Sequence, residues 1–213
     1  EAASRALIAD GFEAVREWVN FELDLAEPPV ISVPDGIRIR PMDPLRDWLA
    51  VGVAMDEAFA DHWGEIGPER RTLLEDEPEE EDVEPDDSGE ANDDPYSNSL
   101  GLCFVAEAGG EVIGSCLCNA RTVEWPASGK LGSLSVLRAY RGRGVGAALT
   151  ATALAEFHRR GIQRVITDTD SASFSGANHL YPRFGFRPYR CERVYEKELR
   201  AGEEWRRLLH ESN

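Results

Sequence analysis

Along the chain the spacing of apolar residues switches between two periods, and each switch marks an element. "GIRIRPM", Gly36–Met42, alternates apolar and polar side chains as a half-buried strand does, and the alternation stops at Pro41. "LRDWLAVGVAMDEAFADHW", Leu45–Trp63, brings apolar residues round through Trp48, Val51, Met55 and Phe59, which predicts an amphipathic helix. A second helix is expected from Pro68. In "GLCFVAEAGGEVIGSCLCNARTV", two apolar runs flank Gly109-Gly110 and predict a hairpin, because glycines accept the tight turn. "KLGSLSVL" reads as a strand. A helix follows from about Val145 to Arg160, with Gly161 placed as a C′ glycine. "QRVITDTD" is a strand, "SGANHLYPRF" a short helix, and "GFRPYRCERVYEKEL" a final strand or strand pair. The order β-α-α-β-β-β-α-β-α-β-β predicts a mixed sheet with helices, of α/β or α+β class.

The start of the chain repeats its end. "EAASRALIADGFEAVREWVNFELDL" and "SGANHLYPRFGFRPYRCERVYEKEL" align without gaps, pairing Ala3 with Ala177, Gly11 with Gly185, Phe12 with Phe186, Arg16 with Arg190, Phe21 with Tyr195, Glu22 with Glu196 and Leu25 with Leu199. Both copies read as a short helix, a Gly-Phe turn and an alternating strand. The pattern implies a tandem protein in which residues 1–31 are the tail of a preceding copy plus a linker, and residues 32–213 form the second copy. The chain begins without an initiator Met, a basic n-region or an apolar h-region, so it reads as the interior of a longer protein and not as a signal peptide.

Charge changes the picture at one place. Of a net −17, the segment Glu75–Asp94 holds thirteen carboxylates and no Lys or Arg, leaving −4 for the rest. The acidity therefore belongs to a Pro-interrupted loop insert, 75–98, that cannot bury apolar surface. It lacks the ligand register of an EF-hand, and overall acidity argues against a nucleic-acid partner. No apolar run reaches membrane-spanning length. The four cysteines, Cys103, Cys116, Cys118 and Cys191, lack the second pair or His cluster of a zinc site and read as small thiols in a reducing cytoplasm, with no metal expected.

The candidate chemistry sits in "RAYRGRGVGAAL", Arg138–Leu149. A P-loop fails because no Lys follows the glycines. A Rossmann fingerprint is matched formally by Gly142, Gly144 and Ala147. However, "RAYR" separates the strand from the first glycine, and too few parallel strands follow to build a dinucleotide crevice. Counted from Arg141, the stretch is R-x-x-G-x-G entering a helix. Glycines let successive N–H groups converge on one anion, the helix adds its positive end, and Arg138, Arg141 and Arg143 add formal charge. A diphosphate carrying an adenosine 3′-phosphate suits that density.

"LSVLRAYRGRGVGAAL" and "DSASFSGANHLYPRFGFRP" resemble motifs A and B of the GNAT superfamily of acetyl-CoA-dependent N-acetyltransferases, over about residues 32–200. "NFELDLAEPP" and "DEAFADHWG" look more narrowly like tandem GNAT proteins of the mycothiol synthase type. The resemblance implies a GNAT fold, a mixed sheet of about seven strands with about four helices, splayed where acetyl-CoA, the co-substrate, binds. It implies that the amides of Gly142, Arg143, Gly144, Val145, Gly146 and Ala147, with Arg141, hold the coenzyme A pyrophosphate. The backbone of Leu134, Ser135 and Val136 would pair with the pantetheine arm. The Val136 N–H would hold the oxyanion during direct attack by an amine, and Tyr181 would protonate the leaving thiolate.

Two departures stand against that pattern. Ser173 occupies a position where many members carry Asn, and "KLGSLSV" offers no carboxylate as general base: Lys130 is the wrong type and Glu124 lies too far along. A water chain, Glu57, Asp61 or His62 could serve instead, with Glu57 and His62 as acceptor contacts. Trp63 and Trp125 fill core or wall the pocket, and His179 is expected to face solvent. The implied function is acetyl transfer to a primary amine of a small molecule, with contact to a preceding GNAT copy or a homodimer as the macromolecular option. The rival is a catalytically weak GNAT-fold unit that binds acyl-CoA or serves as a partner domain. A nicotinamide oxidoreductase comes third.

Overall fold

A computed structural model describes residues 2–60, 62, 101–121, 126–173 and 176–199. The helix expected from Pro68, the acidic loop, Asp61, Trp63, Glu124 and Trp125 lie outside the described residues. The elements are α1 (Ala2–Ala9), β1 (Glu13–Asp24), β2 (Ile37–Pro41), α2 (Pro44–Phe59), β3 (Phe104–Ala108), β4 (Glu111–Asn119), β5 (Ser128–Val136), a 3₁₀ turn (Arg138–Tyr140), α3 (Val145–Arg159), β6 (Arg164–Asp170), α4 (Ala177–Arg183) and β7 (Arg187–Glu196). Among the described residues seven strands make one mixed sheet in the order β2-β3-β4-β5-β6-β1-β7. Every pairing is antiparallel except β5 with β6. This is the α/β sheet the motifs implied.

Local chemistry sets the elements. Gly109 and Gly110 have φ of 59° and 91°, the double positive φ of a two-residue hairpin turn, and they join β3 to β4. Asp43 caps α2 by accepting the Leu45 N–H at 3.1 Å, and Pro44 follows where no amide is needed. α3 turns Val145, Leu149, Leu154 and Phe157 into the main core, where they meet Leu131 of β5 and Val165 of β6. It ends as the sequence predicts: Ile162 N–H returns to the Phe157 carbonyl at 3.0 Å, and Gly161 takes φ 75°. Of the final strand or strand pair expected, the described residues form one strand, β7. Cys103, Cys116 and Cys118 are buried, and Cys191 on β7 is exposed.

A charged network clamps α2 to the sheet. Arg40 on β2 grips Asp47 of α2 in a two-pronged pair, at 2.5 and 2.9 Å, and reaches Glu107 on β3 at 2.6 Å. The Asp47 side chain is 3% exposed. Arg40 holds its carboxyl well below the ordinary aspartate range, with help from Arg46 and the Asp43 N–H. Glu156 is lowered to about 2, mainly by its bond to Arg159. A lowered carboxyl pKa contributes stability above the unfolded value of about 4. That stability is lost as pH falls through the folded value. Stability should therefore drop steeply on acidification below about pH 4. Asp47→Asn should start less stable at neutral pH and fall along a shallower slope. Denaturant midpoints measured across pH would check this; parallel slopes would contradict it.

The repeat has a structural counterpart. Helix, turn and strand coincide in the two copies, α1-β1 and α4-β7. Gly11 and Gly185 have φ of 84° and 89°. Phe12 N–H bonds the Leu7 carbonyl as Phe186 N–H bonds that of Tyr181. Here β1 lies inside the sheet, paired to β6 on one side and β7 on the other. A boundary drawn at residue 31 cuts through one sheet.

Candidate active site

The site begins where two strands part. β5 pairs with β6 at Ser128, Gly129 and Lys130, and there the ladder stops, although both strands continue. Leu131 offers the first β5 carbonyl beyond the last pair, and it accepts the Thr167 hydroxyl at 3.0 Å. β5 stays paired to β4 as far as Val136. Leu137 donates its N–H to Ile113 on the β4 side at 2.9 Å. Backbone groups alternate sides along a strand, so Leu134 and Val136 turn theirs toward the widening gap. The Val136 carbonyl confirms the direction: it accepts from Arg141 Nε at 3.1 Å.

The gap opens into a cleft of about 300 Å³ lined by Leu134, Ser135 and Val136 on one side. Gly142, Gly144, Val145, Gly146 and Ala147 line it at the N-terminus of α3. Gly142 and Gly144 have φ of 72° and 87°, which an L side chain resists, and Gly144 is the N-cap of α3. A fifteen-residue helix thus points its positive end and its orphan amides into a glycine-lined recess. An anion is the ligand such a recess takes.

The other candidates divide. His62 lines the cleft and stands edge-on to Phe59, centroids 4.8 Å apart. His179, expected in solvent, is exposed but belongs to the rim. Glu57 is exposed on α2 and Ser173 bonds backbone to backbone with Asp170; neither is among the lining residues. Arg143 is not among the lining residues, and its guanidinium lies over the ring of Tyr140, which is, at 5.4 Å. Arg141 lines the cleft, yet its guanidinium ties the Val136 carbonyl to that of Ala58 near the end of α2. Its geometry is that of a brace between two walls as well as a nearby charge.

Tyr181 differs most from expectation. It is 3% exposed, packed between Phe21 and Phe186, and it is not among the residues lining the cleft. Burial pushes the phenol up to about 12. Thr167, whose hydroxyl donates to the Leu131 carbonyl, lies beside the phenol and tempers the rise of its pKa. Tyr181 is therefore held protonated beside Thr167 of β6, outside the residues that line the cleft.

A family model, the acetyltransferase (GNAT) family, matches residues 68–186, more than half of the chain. The chain belongs to the GNAT family. This GNAT chain is similar to a mycothiol acetyltransferase of Thermobispora bispora, at 28% identity over 92% of the chain and 62% of the relative. Among solved structures it is similar to a GCN5-related N-acetyltransferase from Sphaerobacter thermophilus, with 28% identity and a TM-score of 0.70 over 95% of this chain and 58% of that one. It shares its fold with a tandem GNAT protein from the clavulanic acid biosynthesis pathway, TM-score 0.57 at 19% identity, covering 91% of this chain and 57% of that one. The chain thus spans about three fifths of the length of these proteins. No helix among the described residues is long and apolar enough to cross a membrane.

Sequence reading missed four lining residues of note: Phe59, Tyr140, Leu180 and Arg183. Arg183 had a signal, since it follows Tyr181 by two on the same short helix and adds a cation to the rim. Phe59 was read as one more apolar helix position, which it also is.

Proposed function

We propose that this GNAT unit transfers the acetyl group of acetyl-CoA to a primary amine of a small molecule by direct attack. One observation carries the reading: the gap between β5 and β6 leads straight to the glycine-lined N-terminus of α3. The amides of Gly142 to Ala147 would bind the pyrophosphate, and Leu134 to Val136 would take the place of the lost ladder with the pantetheine arm. The Val136 N–H faces the gap, where it would steady negative charge on the carbonyl oxygen. His62 stands at the opposite wall as the acceptor contact. The relatives named mycothiol acetyltransferase favour a small-molecule acceptor.

Tyr181 is the proposed proton donor to the departing thiolate. It can act only if its hydroxyl, buried between Phe21 and Phe186, reaches the gap once the coenzyme fills it. The burial of that hydroxyl, and the absence of a carboxylate on β5, favour a second reading: a catalytically weak acyl-CoA-binding unit. An assay of coenzyme A release from acetyl-CoA against a panel of small amines separates the two. Under the first reading turnover appears, and Tyr181→Phe lowers kcat by about 100-fold or more. A loss of stability with kcat unchanged would make Tyr181 a packing residue, and no release with any amine would leave the second reading.

A further inference from the structure

Ser115 on β4 and Ser135 on β5 stand opposite each other in the sheet register. Their Oγ atoms are 2.8 Å apart, and the Ser115 N–H donates to the Ser135 Oγ at 3.2 Å. Both residues are buried, at 0% and 1% exposure. On either side of the pair β4 and β5 are in register, Cys116 with Leu134 and Gly114 with Val136, so the strands are joined without the two hydroxyls. Burying hydroxyls costs free energy unless each finds partners.

The pair has a definite side of the sheet. A Cβ on Gly146 of α3 would meet the Val136 and Leu134 side chains at 3.8 and 4.0 Å, so those two turn to α3. Side chains alternate along a strand, which turns Ser135 to the other face. That face belongs to α2: Leu117, two residues along β4 from Ser115, packs in one buried cluster with Val51. The end of α2 reaches the cleft there, and Ala58, Phe59 and His62 line it together with Ser135. Ser135 thus joins the wall that faces α2, across the sheet from the glycine recess of α3.

We propose that the Ser135 hydroxyl holds the attacking amine, and that Ser115 is the residue that positions it. The proposal rests on the acetyl-transfer reading above and adds the amine's own contact to it. Ser135 donates its proton to the Ser115 Oγ and accepts the Ser115 N–H, which fixes its rotor. A hydroxyl oxygen has two lone pairs, and the second is left to accept an N–H of the amine. The Val136 N–H, one residue on, faces the gap, so consecutive residues of one strand hold the nucleophile and the carbonyl oxygen. The nitrogen lone pair forms the C–N bond, and the C–S bond breaks with its electron pair on sulfur. The nitrogen loses one proton and the thiolate gains one, so an amide and coenzyme A leave with no further reactant. As the C–N bond forms, the N–H becomes more acidic and its bond to Ser135 strengthens, which is the kind of contact that raises kcat. A neutral acceptor also suits the uncharged amine that direct attack requires, on a strand that carries no carboxylate.

The test is steady-state release of coenzyme A with ethanolamine, putrescine and 2-phenylethylamine as probe acceptors, beside calorimetric titration of acetyl-CoA into the same variants. Ser135→Ala should lower kcat by about 10- to 100-fold, with the Kd of acetyl-CoA unchanged. Ser115→Ala should lower kcat by about 3- to 10-fold. The double variant should be no slower than Ser135→Ala alone, because Ser115 acts through Ser135. Should Ser135→Ala fail to fold, Ser135→Cys, close in size and a weak acceptor, takes its place with the same expected loss. A wild-type kcat in the Ser135 variant overturns the inference and leaves the acetyl-transfer reading standing. A loss explained wholly by weaker acetyl-CoA binding overturns it too, as do losses that multiply in the double variant. No release by the unaltered chain with any probe removes the acetyl-transfer reading, and the inference falls with it.

Discussion

Gly146→Asp should keep the fold and lose acetyl-CoA. Gly146 is the second residue of α3, and a Cβ built there meets its nearest atoms at 3.8 Å, an ordinary contact. A carboxylate in the first turn of a helix favours folding by about 0.3–1 kcal/mol. The same carboxylate would point into the recess that the pyrophosphate is to occupy. Two unit charges about 5 Å apart repel by about 3 kcal/mol at an effective dielectric of about 20. That is about two orders of magnitude in Kd. Gly146→Asn, of equal size and no charge, should lose much less. Titration calorimetry beside thermal melts would read both effects. Equal losses for Asp and Asn would reduce the effect to shape, and an Asp variant binding like wild type would remove the anion from this recess.

Phe157→Ala should be the most damaging single truncation in the core. Phe157 is fully buried in α3, and its ring lies so close to β5 that a Cβ on Gly129 would stand 2.4 Å from a ring carbon. Removing the ring costs about 3–5 kcal/mol. A domain of this size is stable by about 5–15 kcal/mol in all. Gly129→Ala alone should cost about 1–3 kcal/mol through overpacking. In the double variant the new methyl enters the space the ring vacated. The two changes should therefore cost less together than separately, with a coupling of about 0.5–3 kcal/mol. Urea denaturation of the four proteins would measure it. Simple additivity would mean that Gly129 is a glycine for some other reason.

Local signals carried much of the fold, and long-range ones carried the rest. The β3–β4 hairpin was legible because Gly109-Gly110 names its own turn, and α3 because Gly161 names its own stop. The place of β1 was not legible. Its alternation announces a strand, but nothing within residues 13–24 says that it lies between two strands formed at the far end of the chain. The splay was legible only through family resemblance. No property of "KLGSLSVL" marks Lys130 as the last residue paired to β6; that depends on Thr167 taking up the next carbonyl. Arg141 shows the limit for site residues. In sequence it is a charge beside glycines, whereas in space it is also a brace to Ala58, 83 residues earlier, a contact no local pattern encodes. Tyr181 is the same lesson reversed: the motif implies a proton donor, and only packing reveals that the side chain is buried between Phe21 and Phe186 and does not line the cleft.

Calorimetric titration of acetyl-CoA into the 213-residue chain, with NADH as control, tests the central claim most directly. The account predicts saturable binding of acetyl-CoA at one site, none of NADH, and loss of that binding in Gly146→Asp. Binding of NADH in place of acetyl-CoA, or of neither, would contradict the assignment of the cleft between β5 and α3 to coenzyme A.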